Sequence, residues 1–161
     1  MFKLKAEVYL KIILIFSFTA LISAYFIEHV LGHKPCNLCL IERVPYGLSI
    51  IFIFIIFFFK KNEKFIVLLL ILTFIFSFAI SLYHYGIEKG FFEESAVCGI
   101  KNLDLNITKE DLLKQLNNKI VSCKDVTFRF FGLSLTTINI VISLIFIITL
   151  SKIYIKYEKN K

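Results

Sequence analysis

Four cysteines, Arg43 and His84 carry the chemistry open to this chain. Cys36-Asn37-Leu38-Cys39 is the smallest unit that can cycle between dithiol and disulfide with little backbone movement. At the start of a helix such a pair meets unpaired backbone N–H groups, which favour the thiolate. Arg43 follows one helical turn later, where a guanidinium can stabilise a developing anion such as that thiolate. Its other reading is an interfacial anchor that snorkels to water. Cys98 and Cys123 form a second candidate pair, 25 positions apart. His84 could donate a hydrogen bond or a proton near the first pair, or be an ordinary interfacial histidine.

Three readings of the cysteines compete: a structural clamp, a zinc site and a redox relay. Two Cys-x-x-Cys units are what a two-knuckle zinc site wants, and only one is present, so no metal is expected. A clamp suits Cys98 and Cys123, because closing a loop of that size stabilises by roughly 3 kcal/mol. It suits Cys36 and Cys39 badly, because a two-residue gap removes almost no chain entropy. Four cysteines allow three pairings. One of them is local within each segment, Cys36 with Cys39 and Cys98 with Cys123, and sequence alone does not choose.

The elements that must position these residues are membrane spans. Of the 161 residues, 58% are hydrophobic, which excludes an ordinary soluble domain. Four apolar stretches approach the roughly 20 residues needed to cross a bilayer. They run over about 8–27, 40–59, 65–85 and 130–151. The second is strictly uncharged only from Val44 to Phe59, so it must recruit Leu40 to Arg43, with Cys39 at the interface. Pro45 cannot donate to the Ile41 carbonyl, which loosens the first turn of that span. The reading is an all-α, four-helix transmembrane bundle in one domain, with exported loops 28–39 and 86–129.

Charge sets the orientation. Lys3, Lys5, Lys11, Lys60, Lys61, Lys64, Lys152, Lys156, Lys159 and Lys161 fall on one side, against only Glu7, Glu63 and Glu158. That excess equals the whole formal net charge of +7. The positive-inside rule then places both termini in the cytoplasm and all four cysteines outside it. The basic balance is thus explained by topology, and no nucleic-acid partner is needed. An even cysteine count in exported segments fits an oxidising compartment. No Ala-x-Ala site follows the first apolar stretch, so it is expected to stay as a signal anchor. All seven tyrosines fall near span ends and are expected as interfacial anchors, Tyr46 among them.

The second exported loop has its own pattern. Thr108 reads as an N-cap with Asp111 reaching back, and Ile107 and Leu112 as a hydrophobic staple. Leu112, Leu113, Leu116 and Ile120 share one face, so a short amphipathic helix is expected to lie on the membrane before Cys123.

These residues together resemble the DsbB family of disulfide-bond formation membrane proteins, over essentially the whole chain. The resemblance is carried by Cys36-Asn37-Leu38-Cys39-Leu40-Ile41-Glu42-Arg43, by Tyr83-His84-Tyr85-Gly86, by Cys98 and Cys123, and by Gly132-Leu133-Ser134 with Asn139. It implies a quinone-dependent protein-disulfide oxidoreductase of a bacterial inner membrane. Its partner would be a periplasmic, DsbA-like thioredoxin-fold dithiol, and its electron acceptor a membrane quinone, ubiquinone or menaquinone. Cys98 would be attacked by the partner's thiolate and Cys123 would help to resolve the mixed disulfide. Cys36 would receive the electrons, Cys39 would be the thiolate beside the quinone, and Arg43 and His84 would flank it. Two departures stand out. Lys124 intervenes between Cys123 and Asp125, and Phe128 and Ile138 stand where the family commonly has tryptophans. A specialised branch serving one dedicated partner therefore stays open. The rivals are a non-enzymatic scaffold with two structural disulfides, a reductase running electrons outward, and a four-span enzyme like vitamin K epoxide reductase. The last is disfavoured because its Cys-x-x-Cys pair belongs near a late span.

Overall fold

The computed structural model describes residues 2–59, 63–93, 98, 122–124, 129–130 and 132–159. The expected amphipathic helix near Thr108 lies outside them. Five helices form the described architecture: α1 (Phe2–His29), α2 (Asn37–Ile41), α3 (Val44–Phe58), α4 (Glu63–Glu88) and α5 (Leu135–Lys159). The only strands among the described residues are β1 (Arg129–Phe130) and β2 (Leu133–Ser134), a two-residue antiparallel ladder before α5. Four units are long and apolar enough to cross a membrane: Ala6–His29, Asn37–Phe58, Glu63–Glu88 and Leu135–Tyr157. The shortest has 22 residues, against the roughly 20 needed to cross a hydrocarbon core of about 30 Å. The fold is all-helical, with four spanning-capable helices.

Helical spacing sorts each helix into a packed face and an outer face. On α1, Ala6, Leu10, Ile13 and Ser17 are buried at intervals of three and four. Ile12, Ile15, Phe18 and Ile22 on the same helix are exposed, the face that lipid would cover. The main core joins that stripe to Tyr46, Ile53 and Ile56 of α3, to Val67, Leu70 and Phe74 of α4, and to Phe146, Leu150 and Ile153 of α5. Phe74 and Phe146 meet edge to face with centroids 4.9 Å apart. α4 packs most extensively on α5, while α3 bridges α1 and α4.

Two chain breaks shape the end of the bundle that carries the cysteines. The second span is not one smooth helix: α2 stops at Ile41 and α3 restarts at Val44, with Pro45 in its first turn. The missing proline N–H is the physical reason. The last helix also starts later than the apolar stretch suggests, at Leu135 and not at residue 130. Gly132 takes φ 81°, a left-handed conformation that reverses the chain between β1 and β2. Ser134 then caps α5, its Oγ accepting from the Thr137 N–H at 3.2 Å. At the end of α4, the backbone N–H groups of Phe91 and Phe92 both donate to the Gly86 carbonyl, at 2.8 and 3.3 Å. The Phe92 ring thereby lies where a Cβ on Gly86 would be, so a larger residue there would have to displace that ring.

Candidate functional site

The α2 start, the last turns of α4 and the first turns of α5 converge on the thiols. Cys36 is the N-cap of α2, and the Cys39 backbone N–H donates to its Sγ at 3.2 Å. Both Cys36 and Cys39 are free, so the pair is present as a dithiol. Hydrogen bonding from the Cys39 thiol, supported by His84 and the Cys39 N–H, outweighs burial and pulls the Cys36 thiol down to about 5 from 9.0. The cap geometry thus stores the first negative charge on Cys36. Cys98 and Cys123 are joined as a disulfide with Cα atoms 5.7 Å apart. Of the three possible pairings, the structure therefore has the local one in the long loop and leaves the Cys-x-x-Cys pair reduced.

The two thiol pairs share one small core. Cys36, Leu38, Ile87, Cys98 and Cys123 are buried together, with Cys39, Ile41 and Tyr83 packed against them. Ile87 supplies the apolar contact from α4, one turn beyond His84.

His84 is the hub of the polar contacts. Its Nε2 lies 3.6 Å from the Cys36 Sγ, and its Nδ1 lies 3.0 Å from Glu42 Oε1. The Thr136 hydroxyl donates to Glu88 Oε1 at 2.8 Å and sits 3.2 Å from His84 Nδ1. Two acceptors therefore face Nδ1, which fixes its proton there and turns Nε2 towards the sulfur. Glu42, Glu88 and Thr136 were not singled out by sequence. Glu42 did carry a signal: an acid one turn from Cys39, inside an otherwise apolar span, needs a partner.

Arg43 is not an isolated cation. Its Nη1 donates to Glu28 Oε2 at 2.6 Å, and its guanidinium carbon lies 5.2 Å from the Tyr25 ring centroid. Glu28 and Tyr25 come from the last turns of α1, so Arg43 ties α1 to the α2–α3 junction. A cavity of about 710 Å³ opens beside these groups. Cys36, Cys39, Cys123, Arg43 and His84 all line it at one end, and Phe16, Leu21 and Ile142 are among its apolar walls. Ile138, one of the two residues standing in for a family tryptophan, also lines it, whereas Lys124 is exposed. Phe128 and Asp125 lie outside the described residues.

Tyr46 corrects an expectation. It is not an interfacial anchor but a buried residue, 8% exposed, with its hydroxyl donating to Asn139 Oδ1 at 2.5 Å. The Asn139 amide donates in turn to Ser81 Oγ at 2.7 Å. A hydroxyl inside a bundle must find an acceptor, and an asparagine on α5 supplies it.

This arrangement defines a multi-pass membrane protein with a helix-start dithiol and a second, disulfide-bonded pair beside it. A family model described as "Disulfide bond formation protein DsbB" matches residues 6–152. The chain belongs to the DsbB family. It is also similar to an uncharacterized protein of Rickettsia prowazekii (strain Madrid E), 27% identical over 155 residues, which covers 93% of this chain and 88% of the relative. Family membership implies a membrane disulfide-bond formation protein with thiol–disulfide oxidoreductase activity. The family is generally quinone-linked and works with DsbA-like partners.

Proposed function

We propose that this protein is a quinone-dependent oxidase of a periplasmic thioredoxin-like dithiol, set in a bacterial inner membrane with both termini cytoplasmic. The observation that carries the reading is the shared cavity wall: Cys36, Cys39 and Cys123 face one space together with Arg43 and His84. A scaffold with two inert disulfides has no use for a free Cys-x-x-Cys pair packed against a second cysteine pair.

Exchange balances as follows. The partner's thiolate attacks Cys98, the Cys98–Cys123 bond breaks, and Cys123 leaves as a thiolate. The partner's second thiol then displaces Cys98, so the partner leaves oxidised and the loop pair holds two electrons and two protons. When Cys36 and Cys39 are joined as a disulfide, the Cys123 thiolate can attack Cys36 within their common core, and Cys39 is released carrying the charge. The cavity fits a quinone by chemistry, with apolar walls for a ring and tail and with Arg43, His84 and both Cys36 and Cys39 in its lining. When bound, such a group supplies a two-electron, two-proton acceptor. Arg43 offsets the negative charge developing in the cavity, Glu28 and Tyr25 hold Arg43 in place, and His84, with its proton on Nδ1, presents Nε2 to the Cys36 sulfur as an acceptor. A specialised oxidase for one dedicated partner remains within this reading, and Ile138 in the cavity wall is where it would differ from its relatives.

The test is anaerobic addition of ubiquinone or menaquinone to the purified dithiol form. Stoichiometric loss of the quinone's absorbance, with formation of a disulfide, is expected. An unchanged spectrum with both quinones, in protein shown to be folded and reduced, would sink the reading.

A further inference from the structure

Cys36, Cys39 and His84 do more than line a cavity: one sulfur from each cysteine and one ring nitrogen lie within 4.8 Å of one another. The sequence offered no second Cys-x-x-Cys unit for a metal, but the fold brings a third donor from another helix. Two independent features of that donor point to a metal ligand. The first is distance. With metal–sulfur and metal–nitrogen bonds of about 2.3 and 2.05 Å, a tetrahedral zinc site puts sulfur and nitrogen about 3.6 Å apart. The Cys36 Sγ and His84 Nε2 are 3.6 Å apart. The second is support. His84 Nδ1 is held by the Glu42 carboxylate at 3.0 Å, the carboxylate–histidine–metal arrangement that fixes the tautomer and strengthens the ligand.

We propose that Cys36, Cys39 and His84 form a capture site for a thiophilic cation, zinc(II), that exists only in the dithiol state and holds the pair out of the redox cycle. Whatever protons the two sulfurs still carry go to solvent, two metal–sulfur bonds form and no electron moves. His84 Nε2 gives the third bond, and the fourth position faces the cavity, where water or an incoming thiolate can occupy it. Glu42 is a positioning residue that acts through His84. While both sulfurs bind the metal they cannot form a disulfide, so zinc acts as a reversible brake on the dithiol. Oxidised protein has no such site, because a disulfide lacks the two thiolates. Capture itself does not depend on the quinone reading; only its inhibitory consequence does.

The test uses full-length detergent-purified protein, reduced and then freed of reductant without oxygen, with cobalt(II) as spectroscopic probe and zinc(II) as competitor. Expected are one cobalt per chain, thiolate-to-metal charge-transfer absorption with intense tetrahedral visible bands, and bleaching by equimolar zinc. Zinc should also protect Cys36 and Cys39 from alkylation. His84→Gln should lose the tetrahedral bands, and Glu42→Gln should weaken binding about 10- to 100-fold while keeping the band shape. A Cys98→Ser/Cys123→Ser double variant should bind as the parent does. Octahedral cobalt spectra in the reduced parent, equal binding by the oxidised form, or undiminished affinity in His84→Gln would each overturn the proposal. Zinc protection of both thiols in the parent, read by mass, keeps the test decisive if His84→Gln fails to fold. Quinone reduction is measured separately without metal, so failure of one reading leaves the other standing.

Discussion

Replacing Arg43 with leucine separates two roles that the structure overlays. The guanidinium donates to Glu28 at 2.6 Å, with the two side chains 17% and 26% exposed. It also sits 5.2 Å over the Tyr25 ring. Exposure at that level caps the ion pair at roughly 1 kcal/mol, and a partly wet cation–π contact adds about 0.5–1 kcal/mol. Arg43→Leu should therefore cost about 1–2 kcal/mol of stability and strand the Glu28 carboxylate. The effect on turnover is a separate quantity. A hydrogen bond to a charged group is worth about 1.5–3 kcal/mol, so losing it where charge develops should lower kcat/KM for quinone about 10- to 150-fold. The two effects come apart in the double variant Arg43→Leu/Glu28→Gln. In the double variant the added cost of the stranded carboxylate should disappear, leaving only the loss of the ion pair and the cation–π contact, while kcat/KM stays low. The assays are detergent-denaturation midpoints and steady-state quinone reduction with a saturating dithiol partner. A rise in KM at constant kcat would mean uniform binding was lost, and a fall in kcat would place the effect in the transition state. Recovery of turnover in the double variant, or a single variant within threefold of the parent, would reduce Arg43 to a strut between α1 and α2.

Further outcomes follow from the cysteines and the buried network. Cys39→Ser should abolish quinone reduction, because serine supplies no stable anion near neutral pH; retained reduction would remove the proposed quinone-side role. Cys123→Ser should accumulate a mixed disulfide with the partner at Cys98 on non-reducing gels, and Cys98→Ser should show little; equal trapping at both would make the loop a clamp. The Cys36 thiol is held below its usual range, so thiolate absorbance of the reduced protein should persist as pH falls and vanish only near pH 5. By linkage, the dithiol form should be most stabilised by this group above about pH 9 and lose that stabilisation towards pH 5; a first thiol titrating near 9 would contradict the cap geometry. Asn139→Ala removes two interhelical hydrogen bonds and orphans the Tyr46 hydroxyl, so it should cost about 1–3 kcal/mol in a denaturation titration. A loss under about 0.5 kcal/mol would show that the network re-pairs.

The helical bundle and the Cys-x-x-Cys unit were legible because each rests on a short-range rule. Span length and the Cys-x-x-Cys spacing need no knowledge of the tertiary fold. The contacts between helices were not legible in the same way. Nothing local tells that Glu28 meets Arg43, or that Glu42 meets His84 across 42 positions. Tyr46 was misread for the same reason: a tyrosine near a span end normally sits at the interface, and only the position of Asn139 on α5 explains its burial. The start of α5 was misjudged because apolarity continues through residues 130–134, while Gly132 and Ser134 set the helix boundary.

The polar side chains of α4 explain how the site is held in register. Ser77, Ser81, His84 and Glu88 are spaced by four, three and four residues, so they stack along one face. Their partners on α5 are Ser143 for Ser77, Asn139 for Ser81, and Thr136 for both His84 and Glu88. These are spaced by four and three residues in the opposite chain direction, as two antiparallel helices require. Within lipid the apolar side chains gain little from meeting one another in place of tails, so such a seam, and not oiliness, selects how α4 slides against α5. A shift by one turn would break all of these contacts together and carry His84 about 5.4 Å from its place beside Cys36. Ser17 and Ser49, hydrogen-bonded at 2.8 Å, make the corresponding tie between α1 and α3. The register of the interior seam is thus what converts a histidine on one span and a thiol at the mouth of another into a single 3.6 Å contact.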